Sequence, residues 1–98
     1  MTFEIEFSAD SERQLSELAT RDRRMLLDSI ETHLSHEPTT PTNNRKLLRS
    51  NPVAAWELRV ADFRVFYNVE SDRILVIVVA LGRKDHNRLT IDGKVIPL

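Results

Sequence analysis

The sequence predicts an α+β domain with its helices on one face of a small, mostly antiparallel sheet. Three patterns carry that reading. Residues 2–7 alternate apolar and polar side chains, residues 10–35 place leucine, isoleucine and methionine at helical spacing, and residues 55–81 return to a period of two. The order is an N-terminal strand, an antiparallel helical hairpin, a three-stranded antiparallel meander and a small C-terminal hairpin. With 98 residues, 41% of them hydrophobic and 30% charged, residues 1–98 are expected to form one domain around a single core.

Phe3, Ile5 and Phe7 share one face of the first segment and Thr2, Glu4 and Glu6 the other, the mark of a half-buried strand. Asp10 or Ser11 is the expected cap of the first helix, whose inward positions are Leu15, Leu18 and Ala19. A second helix is expected from about Asp22 to Ser35, with Met25, Leu26, Ile30 and Leu34 inward. The break at Thr20–Asp22 is short enough to fold the helices back on one another. His36 to Asn44, rich in Pro, Thr and Asn and lacking an apolar side chain, is expected to be a loop.

Ala55 to Val60 and Phe63 to Val69 are the next strands, joined by a two-residue turn at Ala61-Asp62. Residues 70–72 make another turn. The aliphatic run Ile74 to Leu81 suits a central strand covered on both faces, with Gly82 ending it. Asp92-Gly93 marks a terminal hairpin between Thr90-Ile91 and Val95-Ile96.

Composition excludes several classes. With no cysteine there is no disulfide framework, thiolate metal site or cysteine nucleophile, which fits a cytoplasmic setting. The longest apolar run falls far short of the roughly 18 residues that span a bilayer, and no membrane association is expected. The start, Met-Thr-Phe-Glu-Ile-Glu-Phe, has no basic region ahead of an apolar stretch and is not expected to be a signal peptide. No P-loop, dinucleotide fingerprint, Ser-His-Asp spacing or basic recognition helix is present. His33 and His36 suit the carbonyl end of the second helix better than a metal.

The net charge of −1 hides a division. Residues 1–44 carry four basic and nine acidic groups, whereas residues 45–88 carry nine basic and five acidic. It is the local field over a patch that attracts a polyanion. Two ordinary solvated surfaces are the alternative.

The tight turn fixes a register. Val60 faces Phe63, Leu58 faces Val65 and Trp56 faces Tyr67, which gathers those six residues on the core side. On the other side Arg59 faces Arg64, with Glu57 beside them. Like charges directly opposed are destabilising. Either Glu57 offsets them in a structural ion-pair cluster, or a phosphate bridges the two guanidinium forks. The segment Gly82-Arg83-Lys84-Asp85-His86-Asn87-Arg88 leaves the last long strand and brings further cations toward this side. Attack of a ribose 2′-hydroxyl on the adjacent phosphate needs cations for the developing charge and groups that move two protons. Histidine changes charge near neutral pH, so His86 is either a proton-transfer group or a surface residue. Arg45, Lys46 and Arg49 are either solvated or contact flanking phosphates.

The element order, with Lys46-Leu47-Leu48, Trp56-Glu57-Leu58-Arg59-Val60, Asp62-Phe63-Arg64-Val65-Phe66-Tyr67 and Val79-Ala80-Leu81-Gly82-Arg83-Lys84, resembles the RelE/ParE superfamily of type II toxins. The RelE-like branch, which many members end with a segment similar to His86-Asn87-Arg88, is the nearer likeness. The resemblance implies the RelE-like microbial RNase fold and a toxin that enters the ribosomal A site and cleaves mRNA. It implies Arg59, Arg64, Lys84 and His86 as catalytic residues, with Arg45, Lys46, Arg49, Arg83 and Arg88 binding RNA. No metal or cofactor is implied; a small antitoxin partner is. Arg64 matches the arginine that opens the third strand and stabilises the phosphate, and Lys84, or its neighbour Arg83, matches a basic residue after the glycine. Two positions depart: Glu57 stands where well-studied members have lysine, and Thr90 or nothing equivalent replaces a C-terminal tyrosine. ParE-like relatives share the fold but inhibit DNA gyrase, so a gyrase inhibitor and a decayed toxin acting in a repressor complex are the alternatives.

Overall fold

The structure, a computed structural model, describes residues 2–97. Chain order is β1 (Glu4–Phe7), α1 (Ala9–Ser16), α2 (Thr20–Leu34), β2 (Arg45–Leu47), β3 (Trp56–Val60), β4 (Phe63–Glu70), a 3-10 turn (Ser71–Arg73), β5 (Leu75–Asp85), β6 (Arg88–Ile91) and β7 (Lys94–Val95). The strands form one sheet in the order β2-β3-β4-β5-β6-β7, with β1 running parallel to the first half of β5. The expected meander is therefore the centre of a seven-stranded sheet. The basic stretch ahead of it adds an edge strand, β2, which pairs with β3.

Helix starts differ from expectation by a few residues, for local reasons. Ser8, not Asp10 or Ser11, caps α1: its Oγ accepts from the Ser11 N–H at 3.1 Å and donates to the Val79 carbonyl at 2.9 Å. Ser11 lies inside the first turn and buries its hydroxyl against the Val78 carbonyl at 2.9 Å. Helix α2 starts at Thr20, so the break shrinks to residues 17–19. Helix α1 rests on β5 and α2 on β3. Between helices and sheet lie Leu26, Ile30 and Leu34 with Trp56, Leu58, Val60, Phe63, Val65 and Tyr67. Trp56 and Tyr67, opposite one another in register, stack at 6.1 Å between ring centroids.

A β-bulge in β5 decides which residues face which way. Pairing of β4 with β5 shifts between Phe66 and Tyr67, where Ala80 and Val78 are the partners and Val79 is left over. Before the bulge Val76 and Val78 face the helices; after it Leu81 does. One extra residue exchanges the two faces of the strand. The α1 end is fastened at this point, with the Ser8 N–H on the Val78 carbonyl and the Ser8 hydroxyl on the Val79 carbonyl. On the far side of the sheet Ala54, Phe66, Ala80 and Leu89 form a second, smaller core, joined by Leu48, Ile91 and Ile96.

Gly82 does not end the strand. β5 runs on to Asp85 and turns at His86 and Asn87, both at positive φ (50° and 65°), the backbone pattern of a type I′ hairpin. Gly82 instead leaves room for β6: a Cβ there would lie 3.0 Å from both Leu89 Cδ1 and the Thr90 carbonyl. The Asp92-Gly93 turn is as expected, with φ of 53° and 77°. Its Asp92 carboxylate receives Arg13 at 2.8 and 3.2 Å and the Gln14 amide at 3.0 Å. These donors hold the Asp92 carboxyl below its ordinary range. Gln14 also accepts from the buried Leu81 N–H at 2.7 Å, so one side chain ties α1 to both β5 and the hairpin tip.

The loop of residues 36–44 is not free of apolar contact, because Pro38 is fully buried. Its carbonyl accepts the Tyr67 hydroxyl at 2.7 Å, and burial pushes that phenol above its ordinary value. Arg45 closes the loop, donating from Nη1 to the His33 carbonyl at 2.6 Å and from Nε to the Thr40 carbonyl at 2.9 Å.

Two stability outcomes follow from these contacts. Gly82→Ala should cost about 1–3 kcal/mol in urea unfolding, because the new methyl group overpacks against backbone as well as against Leu89. Arg45→Ala should cost about 1–3 kcal/mol through two charge-assisted hydrogen bonds, with faster amide exchange confined to the 36–44 loop.

Candidate nucleic-acid interface

Ala61 begins the β3–β4 turn at φ 51°, a conformation a non-glycine residue adopts at a cost of about 1–2 kcal/mol. The register that this turn sets agrees with the expected one in every pair: Trp56 with Tyr67, Glu57 with Phe66, Leu58 with Val65, Arg59 with Arg64 and Val60 with Phe63. Leu58 and Val65 are in the helix-side core, so the alternate pair, Arg59 and Arg64, stands on the far face. The two arginines are directly opposed there.

They are held differently. Arg59 is exposed. Arg64 is only 8% exposed, and its Nη1 donates to the carbonyls of Ala61 at 2.9 Å and Phe63 at 2.8 Å. One edge of the guanidinium is thus anchored to the turn. No fully buried side-chain nitrogen or oxygen lacks a partner among the described residues, so any donor of Arg64 left unbonded still meets solvent. Burial pulls the Arg64 pKa below the ordinary arginine value; the Glu57 and Asp62 carboxylates oppose that, and the like charge of Arg59 adds to it. Glu57 acts on Arg64 more strongly than the like charge of Arg59 does, so burial, not repulsion, is the chief cause of the lowering.

The bulge in β5 settles which neighbour joins this face. Arg83 pairs in register with Phe63 and lies over its ring at 4.5 Å, on the side of the helices. Lys84, one residue on, alternates to the side of the arginine pair. Its N–H donates to the Asp62 carbonyl at 2.8 Å, which ties the end of β5 to the β3–β4 turn. His86 stands at the tip of the next turn, 95% exposed, with Nδ1 3.2 Å from Asp85 Oδ1. Arg88 stands opposite Asp85 at the foot of that turn. Lys46 pairs in register with Glu57 on the arginine side, and Arg49 is exposed between β2 and β3. Arg45, by contrast, points its guanidinium at loop carbonyls. The structure thus gathers Lys46, Arg59, Arg64 and Lys84 on one face, sets Arg83 on the other, and leaves Arg45 bonded to loop carbonyls while lining the adjoining groove.

A groove of about 390 Å³ adjoins the pair, walled by Thr42, Asn43, Asn44, Lys46, Glu57 and Arg59. The loop reaches it because the Asn44 carbonyl accepts the Arg59 N–H at 2.8 Å. Nothing in residue spacing marks Thr42 to Asn44 as groove residues; a contact between distant segments puts them there. The face is suited to binding a phosphodiester by paired guanidinium groups. No group of three or more His, Asp or Glu able to hold a metal occurs among the described residues. No helix among them is long and apolar enough to cross a membrane.

No protein-family model matches the sequence, and no curated protein matches it. Solved structures do match. The RelBE2 toxin–antitoxin complex from Mycobacterium tuberculosis contains a chain that superimposes with a TM-score of 0.70 at 18% identity, covering 96% of this chain and 95% of that one. The archaeal RelE–RelB complex from Pyrococcus horikoshii gives a TM-score of 0.70 at 19% identity, covering 88% of this chain and 99% of that one. The fold of this chain is the α+β fold found in those RelE–RelB type complexes.

Proposed function

We propose that this protein is the toxin of a toxin–antitoxin pair and that it cleaves mRNA on the ribosome. The observation that carries the reading is the opposed Arg59–Arg64 pair, with Lys84 beside it, on the open face of a RelE-like fold. Opposed cations cost stability unless an anion lies between them. A phosphodiester supplies that anion and gains most as its charge grows.

In the proposed reaction the 2′-oxygen attacks the adjacent phosphorus and the bond to the 5′-oxygen breaks. The products are a 2′,3′-cyclic phosphate and a free 5′-hydroxyl. Arg59 and Arg64 bind the two non-bridging oxygens, with the turn carbonyls keeping Arg64 in place. Lys84 neutralises the charge that accumulates on the pentavalent phosphorus. His86, oriented by Asp85, donates a proton to the leaving 5′-oxygen, and water takes the 2′ proton. Lys46, Arg49 and Arg88 hold flanking phosphates; Arg83 serves from the other side of the sheet edge. The two complexes of like fold each join a toxin chain to an antitoxin, which supports a small protein partner here.

Primer extension on cellular mRNA after induction tests the reaction. Wild type should cut inside translated codons. Arg59→Ala, whose side chain is exposed and unneeded for folding, should lose about 10²–10³-fold in cleavage, as should Arg64→Ala, and His86→Ala about 10²-fold. DNA breaks that depend on gyrase, without mRNA cuts, would show a gyrase inhibitor instead, and growth indifferent to induction would show a decayed toxin. Purification from the native operon should bring down a second small protein that suppresses the cleavage.

A further inference from the structure

The link between β2 and β3 is longer than their pairing needs. Leu47 faces Trp56 in register, and the Leu48 N–H still donates to the Ala55 carbonyl at 2.8 Å. That leaves residues 49–54, where about two residues close a hairpin. The excess is nevertheless tightly folded. The Asn51 amide donates from Nδ2 to the carbonyls of Arg49 at 2.6 Å and Ala54 at 2.9 Å. Its Oδ1 accepts from the N–H groups of Val53 at 2.8 Å and Ala54 at 3.1 Å. Both donors and both lone pairs are used, so the amide is fixed in one orientation. Beneath the loop, Leu48, Val53 and Ala54 join Phe66 and Ala80 in the smaller core, on the face that carries the arginine pair. Phe66 lies two residues beyond Arg64 on that face of β4, about 6.8 Å along the strand. On top, Arg49, Ser50 and Pro52 are exposed. No acidic residue lies between Glu37 and Glu57, and among the described residues the Arg49 side chain forms no ion pair. A cation on a rigid loop, without countercharge and one strand step from Arg64, is suited to a phosphate.

We propose that Asn51 is a positioning residue: it fixes the Arg49 backbone so that the guanidinium meets a phosphate flanking the one held by Arg59 and Arg64. The inference rests on the RNA-binding reading above and adds the residue through which Arg49 acts. By holding the Arg49 carbonyl, the Asn51 amide removes backbone freedom that an exposed loop otherwise keeps. The cost of ordering that segment is then met on folding and not on binding. Arg49 takes its phosphate at a set spacing from the arginine pair, which aligns the RNA strand along the face. Such a contact is blind to base identity and acts on affinity and register.

The test is binding of a short single-stranded RNA whose 2′-O-methyl groups block cleavage. Arg49→Ala should weaken binding about tenfold and lower the salt slope by about one. Asn51→Ala leaves every charge in place; it should weaken binding about fivefold, and the double variant should be no weaker than Arg49→Ala alone. Replacing one linkage at a time by a neutral methylphosphonate locates the contact. In the wild type one flanking linkage should cost about tenfold, and in either single variant the same linkage should cost about twofold or less. Loss of loop packing that did not act through Arg49 would leave that sensitivity in place. Asn51→Asp keeps the acceptor for the Val53 and Ala54 N–H groups and gives up the hold on the Arg49 carbonyl. It should show the same insensitivity, and it takes the place of Asn51→Ala if that variant does not fold. Losses that multiply in the double variant, wild-type affinity in Asn51→Ala, equal tolerance of every neutral linkage by the wild type, or no binding at all would overturn the proposal. Any of these beside mRNA cuts in cells would leave the nuclease reading standing without it. The expected pattern in a wild type that cuts no mRNA would keep the role of Asn51 and remove the nuclease reading.

Discussion

The two-residue connection at Ala61 and Asp62 governs the rest of the molecule. A hairpin this tight admits one register, and that register sends Trp56, Leu58, Val60, Phe63, Val65 and Tyr67 to the helices while Arg59 and Arg64 go to the opposite face. A slip of one residue would bury the arginines and expose the aromatics. The apolar side therefore enforces the arrangement of the charged side: packing against Leu26, Ile30 and Leu34 outweighs the repulsion between two guanidinium groups. The same turn then holds Arg64 through the Ala61 carbonyl and receives the end of β5 through the Asp62 carbonyl.

From that constraint the candidate site gains its rigidity. Its cations come from four neighbouring strands, whose spacing is set by backbone hydrogen bonds rather than by flexible loops. Arg64 is held in one place, because part of its guanidinium is bonded to the turn carbonyls. Arg59 keeps its full freedom on the surface. The division suits a site in which one cation defines position and another adapts to the substrate.

Two devices at the far end of the sheet complete the face. Bulging at Val79 exchanges the sides of β5, and Gly82 lets β6 fold closely alongside, so that Leu89 and Ile91 help cover Phe66 and Ala80. Helix α1 fastens both: Ser8 and Ser11 on the carbonyls of Val78 and Val79, Gln14 on the Leu81 N–H and Asp92. Arg13 adds its bidentate contact to Asp92 on the outside, where water screens it. The first helix thus supports, from behind the sheet, the strand end that carries Lys84 and His86.

Local pattern by itself determined the helices, the strands, the hairpin register, the inward Trp56–Tyr67 pair and the opposition of Arg59 to Arg64. Each of these depends on neighbours in sequence or on a two-residue turn, and alternation reports such neighbours directly. Tertiary structure alone decided the rest. A continuous aliphatic run has no alternation in which a bulge would show, so whether Arg83 or Lys84 joins the arginines depended on how α1 bonds to Val78 and Val79. The same holds for Gly82, which looked like a strand end but answers to the approach of β6. It holds for Arg45 and Pro38, spent on closing a loop, and for the groove beside Glu57. Those positions are fixed by contacts between segments tens of residues apart, and residue spacing carries no trace of them.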